Sequence, residues 1–359
     1  MHNSDSKSEC RSEKELYDFE LKGNSEKFDD SETIALLPLA LVSETSSLRC
    51  TRSQIFQQQV PAVRHEWRDL NQGEQANYID AVECLSTHAS VSNLKGTWHD
   101  DFSRIHRHIG LTTHFSAAFL AWHRYFIHVY ETVLKKQCNY HGNLPYESPS
   151  LPLPRADKIC RYWDWSLDSS DLYASPVWDN TTGFGGNSNI TLPPTLNYGR
   201  CVDSGPFADL VVQYEDGYTL PHCLTRAFAE EGFHGYSSSD VQNTTLEAIL
   251  NIVDYEDFYE AVESGPHDTI PNMVRGDFWI LTAPNDPIFF LHHANLDRLW
   301  WLWQQRNLTV RLSEYTGPAR NGSAEEASLT NVLPMVGFAG DTKVADAIDT
   351  SKGLLCYSY

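Results

Sequence analysis

The chain has 359 residues, a formal charge of −21 at pH 7 and 12% aromatic residues, ten of them Trp. That length buries a sizeable core in one large domain, or in two. The acidic balance argues against nucleic acid or an anionic membrane as partner, because holding phosphates needs clustered Lys and Arg, and no apolar run approaches the roughly eighteen residues of a transmembrane helix.

Cys10, Cys50, Cys84, Cys138, Cys160, Cys201, Cys223 and Cys356 are scattered without a CxxC pair, which disfavours a Cys-rich zinc module. An even count suits disulfides. Together with N-x-S/T sequons at Asn180, Asn189, Asn243, Asn307 and Asn321 it points to an oxidising compartment and a secreted glycoprotein. The N-terminus lacks the basic start of a signal peptide. Only IALLPLALV at 34–42 looks like its apolar core, and it lies late. A start codon placed too far upstream, a short buried strand or a pro-segment would each account for that. Residues 1–48 are expected to be disordered or a leader or pro-segment, and residues 49–359 to form the folded domain.

Asn71 with Glu74 three residues later opens a capping-box helix whose stripe is Tyr78, Ala81, Val82 and Leu85. Trp98 to Gly110 reads as a second helix with Phe102, Ile105 and His106 on one side. His99 and His108 read as candidate exposed bystanders. His114 then precedes FSAAFLAWHRYFIHVYETVLKK, a helix with Phe115, Phe119, Trp122, His123, Phe126, Tyr130 and Val133 on a broad face and Lys135 and Lys136 in its favourable last turn. An inward histidine is ordinarily a core residue bonded to a carbonyl. His106, His114 and His123 within eighteen residues, ending on an aromatic helix, make half of a metal site plausible.

Residues 139–222 are rich in Pro, Gly, Ser and Asn, interrupted by RYWDWSLD at 161–168, which reads as a packed turn. Cys201 and Cys223 are candidates to close one of these loops. Residues 246–262 carry one helical pattern ending at Ser264-Gly265-Pro266, and His267 follows as an apparent loop residue. Asn285 or Asp286 then caps a helix with Pro287 in its first turn. Along it Phe289, Phe290, His293, Leu296, Trp300 and Trp303 recur at three- and four-residue spacing.

Two signatures carry a resemblance. One is His114, then Phe119-Leu120-Ala121-Trp122-His123-Arg124, then Glu131; the other is Asp286-Pro287-Ile288-Phe289-Phe290, then His293 and Asp297. Asp101-Phe102, YWDW at 162–165 and the terminal Tyr357-x-Tyr359 support them. Over roughly residues 50–359 the chain resembles the tyrosinase and catechol-oxidase branch of the type-3 copper proteins, in the short fungal form. The resemblance implies a mainly α fold, with a four-helix-bundle dicopper core, long irregular loops, few short strands and no C-terminal lid domain. It implies two copper ions, one held by His106, His114 and His123, the other by His267, His293 and the residue four after His267. That residue is Pro271. Two histidines plus solvent, another histidine such as His234 or His222, or an empty second site are the alternatives. Thr112 stands where some relatives carry a thioether-linked Cys, and Asp268 follows His267 where hydroxylating relatives often have Asn.

All-imidazole donors suit copper better than harder ions. Asp297 is expected to hold an imidazole from behind or to pair with Arg298 or another neighbour, Phe289 to pack beside the site, and Ile280 to lie over the entrance. The implied reaction is oxidation of o-diphenols to o-quinones with dioxygen, with monophenol hydroxylation open. The partners would be a small phenol and dioxygen, not nucleic acid or a membrane. The rivals are an oxidase for one dedicated secondary-metabolite intermediate, an oxygen carrier of the hemocyanin kind, which small size and lack of repeats disfavour, and a degenerate non-catalytic homologue.

Overall fold

The computed structural model describes residues 26–27, 62–91, 95–140, 161–189, 191–193, 195, 199–228 and 236–359. The apolar run at 34–42, most of the expected leader and His234 lie outside the described residues.

The fold is helix-rich with short strands, as its sequence pattern predicts. α1 (Gln72–Leu85) begins at the expected capping box: Asn71 Oδ1 accepts the Glu74 N–H at 3.1 Å and Glu74 returns a carboxylate to the Asn71 N–H at 3.0 Å. Tyr78, Ala81, Val82 and Leu85 are its buried stripe. α2 (Trp98–Thr113) runs past Gly110, where the sequence pattern fades, and α3 (Ala118–Gln137) follows after a short turn. Gly110 is needed inside α2 for a packing reason: a Cβ there would stand 3.2 Å from the Leu281 side chain and 3.3 Å from the His114 ring.

The pattern over 246–262 divides into α4 (Asn243–Leu250) and α5 (Tyr255–Val262). Asp254 opens α5 by accepting the N–H groups of Glu256 and Asp257, and Trp303 Nε1 donates to the Ile252 carbonyl at 2.7 Å inside the break. A wide turn at Glu263–His267 leads into α6 (Asp268–Val274), which contains Pro271. Gly276 has φ +60, and a Cβ there would meet the Thr225 carbonyl oxygen at 2.3 Å. α7 (Ile288–Gln305) is the central element, with fourteen of its residues buried.

α3 and α7 pack antiparallel. His123 stacks on His293 at 4.3 Å between centroids, and two turns along α3 Tyr130 stacks on Phe290 at 3.4 Å. Trp122, Trp300 and Trp303 are wholly buried around them, and truncating a residue of this kind typically costs about 3–5 kcal/mol. Arg124 of α3 donates through Nε to Asp297 of α7, lies 3.6 Å over the Trp300 ring and donates to the Ile348 carbonyl at 2.8 Å. The other strands serve as fasteners. β1 (Glu26–Lys27) joins the β6 (Val211–Glu215) and β7 (Tyr218–Cys223) hairpin, β2 (Ala62–Val63) pairs with β11 (Tyr357–Ser358), β3 (His65–Glu66) with β4 (Arg161–Tyr162), β5 (Arg200–Cys201) with β8 (Thr225–Arg226), and β9 (Val332–Leu333) with β10 (Thr342–Lys343). Disulfides join Cys201 to Cys223, as the loop composition suggests, and Cys84 to Cys138, tying the ends of α1 and α3 together.

Candidate metal centre

α2, the turn after it and α3 deliver three imidazoles to one point. Donor atoms of His106, His114 and His123 all lie within 4.8 Å of one another, and their ring centroids form a triangle with sides of 5.3, 5.3 and 5.2 Å. Two of the rings are oriented from behind by the backbone. His106 Nδ1 faces the Leu281 carbonyl at 2.6 Å and His123 Nδ1 faces the Phe119 carbonyl at 2.8 Å. Each carbonyl fixes the N–H on Nδ1 and leaves Nε2 as a lone-pair donor. The two Nε2 atoms then face each other at 3.2 Å, and the buried His114 Nε2 has no protein partner. Converging bare nitrogens in an apolar setting form a cradle for a cation that takes nitrogen ligands.

The rings are also in the right charge state. Burial lowers the pKa of His106 to about 4, opposed by the Leu281 carbonyl and reinforced by His267. Burial, followed by the neighbouring imidazoles, holds His114 and His123 well below the ordinary histidine range. Neutral imidazole is the form that binds a metal.

His267 at the start of α6 and His293 on α7 complete one cluster with them. His267 lies 5.3 Å from His293 and 5.5 Å from His114, and His293 lies 4.3 Å from His123. His267 Nδ1 is 2.9 Å from Asp268 Oδ1. Phe289 packs at 4.1 Å on His293 and 4.9 Å on His106, and Phe119 packs at 4.8 Å on His267. The five predicted histidines are therefore brought together, and Phe289 sits beside them. This second half fits a metal less well than the first: His267 and His293 supply two imidazoles, and Pro271 has no donor to add.

Of the two roles expected for Asp297, it takes the pairing with neighbours and holds no imidazole from behind. Its buried carboxylate accepts from Arg64 Nη1 at 2.7 Å, Tyr359 OH at 2.6 Å, Arg124 Nε and Tyr357 OH. Arg298 pairs with Asp164 at 3.2 Å instead. His222 does not swing toward the cluster, because Asp277 Oδ1 lies 2.9 Å from its Nε2 and the Leu220 carbonyl 2.6 Å from its Nδ1. His99 is buried, its Nε2 2.9 Å from the Asn285 carbonyl, whereas His108 is exposed. Ile280 is buried in the approach to α7, its carbonyl accepting the Ala283 N–H at 2.8 Å. The next residue, Leu281, supplies the carbonyl behind His106.

Two further residues carry no motif signal. Glu263, one turn before His267, is buried and accepts the Phe115 N–H at 2.9 Å on both oxygens; burial raises its pKa well above the carboxylate range, with Asp268 and Glu260 adding to burial and the Phe115 N–H opposing it. His292 is wholly buried next to His293.

The family described as the common central domain of tyrosinase matches residues 86–306. Tyrosinase-like protein phomQ1 of Diaporthe leptostromiformis is 42% identical over 325 residues, covering 83% of this chain and 77% of that protein. Tyrosinase ustQ of Aspergillus flavus is 39% identical, covering 83% and 79%. Among solved structures, a polyphenol oxidase from Thermothelomyces thermophila shares the fold with a TM-score of 0.68 at 24% identity, covering 83% and 88%.

Proposed function

Because the chain belongs to the tyrosinase family, we propose that it is a copper-dependent oxidase that takes o-diphenols to o-quinones at the expense of dioxygen. One observation carries this reading: five imidazoles from α2, α3, α6 and α7 and their adjoining turns meet in one cluster, four of them buried and His267 half-buried. When bound, a copper pair supplies the two-electron exchange with dioxygen that no side chain offers. His106, His114 and His123 hold one ion, and His267 and His293 contribute to the other. The carbonyls of Leu281 and Phe119 keep His106 and His123 aimed, so little reorganisation accompanies metal binding. Phe289, packed on His106 and His293, forms the apolar wall that receives the phenol ring and excludes water. Glu263, whose carboxyl burial pushes well above the usual carboxylate range, is the nearest buried acid on the chain leading into His267.

A narrower reading, an oxidase for one dedicated aromatic intermediate of fungal secondary metabolism, is favoured by the relatives. One of them, 28% identical and covering 83% of this chain, is named as an N-acetyl-6-hydroxytryptophan oxidase of Emericella nidulans. Oxygen uptake on 4-tert-butylcatechol by copper-loaded protein, set against indolic and peptidyl phenols, tests both readings. Uptake that requires copper supports the oxidase, and a strong preference for one phenol class supports the narrower form. Copper bound without uptake on any phenol overturns both.

A further inference from the structure

The second half of the cluster contains an imidazole that its sequence signature does not use. The rings of His267, His292 and His293 form a triangle with sides of 5.9, 5.2 and 5.3 Å, close to the 5.2–5.3 Å triangle of the first trio. His292 is 0% exposed, and neither of its ring nitrogens meets a hydrogen-bond partner. A wholly buried imidazole with two unmatched nitrogens is costly unless something else claims them. Its other ring contacts among the described residues, Phe278 at 5.5 Å and Trp165 at 6.1 Å, offer no acceptor.

Pro271 supplies a second reason. Proline has no N–H, so it offers nothing to the carbonyl of His267 four residues earlier, which an ordinary helical residue would satisfy. His106 and His123 are backed by backbone carbonyls at 2.6 and 2.8 Å, a contact that the His292 ring, 5.9 Å from that of His267, does not make in this arrangement.

We propose that His292 is the third protein ligand of the second metal, standing in for the donor that Pro271 lacks. The assignment rests on the dicopper reading above. The nitrogens of this trio do not converge as tightly as those of His106, His114 and His123, so binding turns the His292 ring about its side-chain bonds toward the gap between His267 and His293. The His267 carbonyl then takes the N–H on the far side of the ring. A single residue thereby both completes the ligand set and answers the carbonyl exposed by the proline.

Copper per chain, measured by elemental analysis after dialysis against a moderate chelator, tests this without reference to turnover. Wild type is expected to hold about two ions with about three imidazoles each by X-ray absorption. His292→Ala and the milder His292→Asn should fall to about one. Adding Pro271→His to His292→Ala should restore two, which separates ligation from folding, because a purely structural His292 would gain nothing from a donor at position 271. Retention of two ions by His292→Ala overturns the proposal, and so does a wild type that holds one ion with or without His292. A wild type that binds no copper even at His106, His114 and His123 overturns the dicopper reading itself.

Discussion

Replacing Asp297 with Asn should destabilise the metal-free protein severely while leaving copper affinity nearly untouched. The substitution keeps the shape of the side chain and removes its charge. What stays behind are two guanidinium groups with no exposed surface, Arg64 and Arg124. A second carboxylate, Glu131, lies 3.8 Å from Arg64 Nη2 and is already engaged with Lys135. The Tyr357 and Tyr359 hydroxyls lose a charged acceptor as well. Breaking a buried ion pair from one side typically costs about 3–5 kcal/mol, and because two buried arginines lose the same carboxylate the upper part of that range applies. Set against a total folding stability of about 5–15 kcal/mol, this is a third or more of the whole. Urea unfolding of metal-free wild type and Asp297→Asn, followed by fluorescence of the buried tryptophans, measures it. A difference below about 1 kcal/mol, the size of an exposed pair, would refute the reasoning. A copper affinity loss of about 10–100-fold with metal-free stability spared would show instead that Asp297 orients a ligand.

Two other expectations follow from particular contacts. Gly110→Ala should gain close to 1 kcal/mol of helix propensity yet weaken copper binding at the first trio, because the new methyl presses on the His114 ring at 3.3 Å; competition titration with a copper chelator reads the affinity, and an unchanged value would remove the packing argument. His222 predicts a loss of stability on the alkaline side. Burial alone would lower its pKa, but the Asp277 bond and charge, the Leu220 carbonyl and Glu215 raise it to about 9. A value raised above that of the unfolded chain means the stabilisation is complete below about pH 6.5 and disappears as the pH passes about 9. The loss comes to roughly 3 kcal/mol at about 1.4 kcal/mol per pH unit. Urea midpoints from pH 6 to 10 should show it in wild type and not in His222→Gln; equal slopes in both would count against a charged His222.

Much of the fold was legible because local chemistry and long-range packing agree. The Asn71–Glu74 box, the stripe of α1 and the aromatic faces of α3 and α7 are where spacing places them. The candidate site was legible from its histidines, whose inward faces follow from helical periodicity. What escaped was decided by partners distant in sequence. Residues 251–254 continue a helical pattern, yet Asp254 satisfies more N–H groups as a cap than as an interior residue, and Trp303 takes the Ile252 carbonyl. Asp297 sits four residues after His293, which suggests a shared task. Its carboxylate is instead claimed by Arg64, 233 residues away, and Arg124, 173 residues away. His292 was hidden by adjacency, since neighbouring helix positions point about 100° apart and one histidine of the pair sufficed for the motif.

The Cys84–Cys138 bond spans 54 residues, and within that span lie His106, His114 and His123. The covalent ring limits the unfolded freedom of this stretch by about 4 kcal/mol in the chain-entropy model. The first trio is thus drawn from a chain already held in a loop before any metal arrives. Replacing Cys84 and Cys138 together by Ser should lower the stability of the metal-free protein by an amount of that order, read from urea midpoints, and an unchanged midpoint would count against the ring as a restraint.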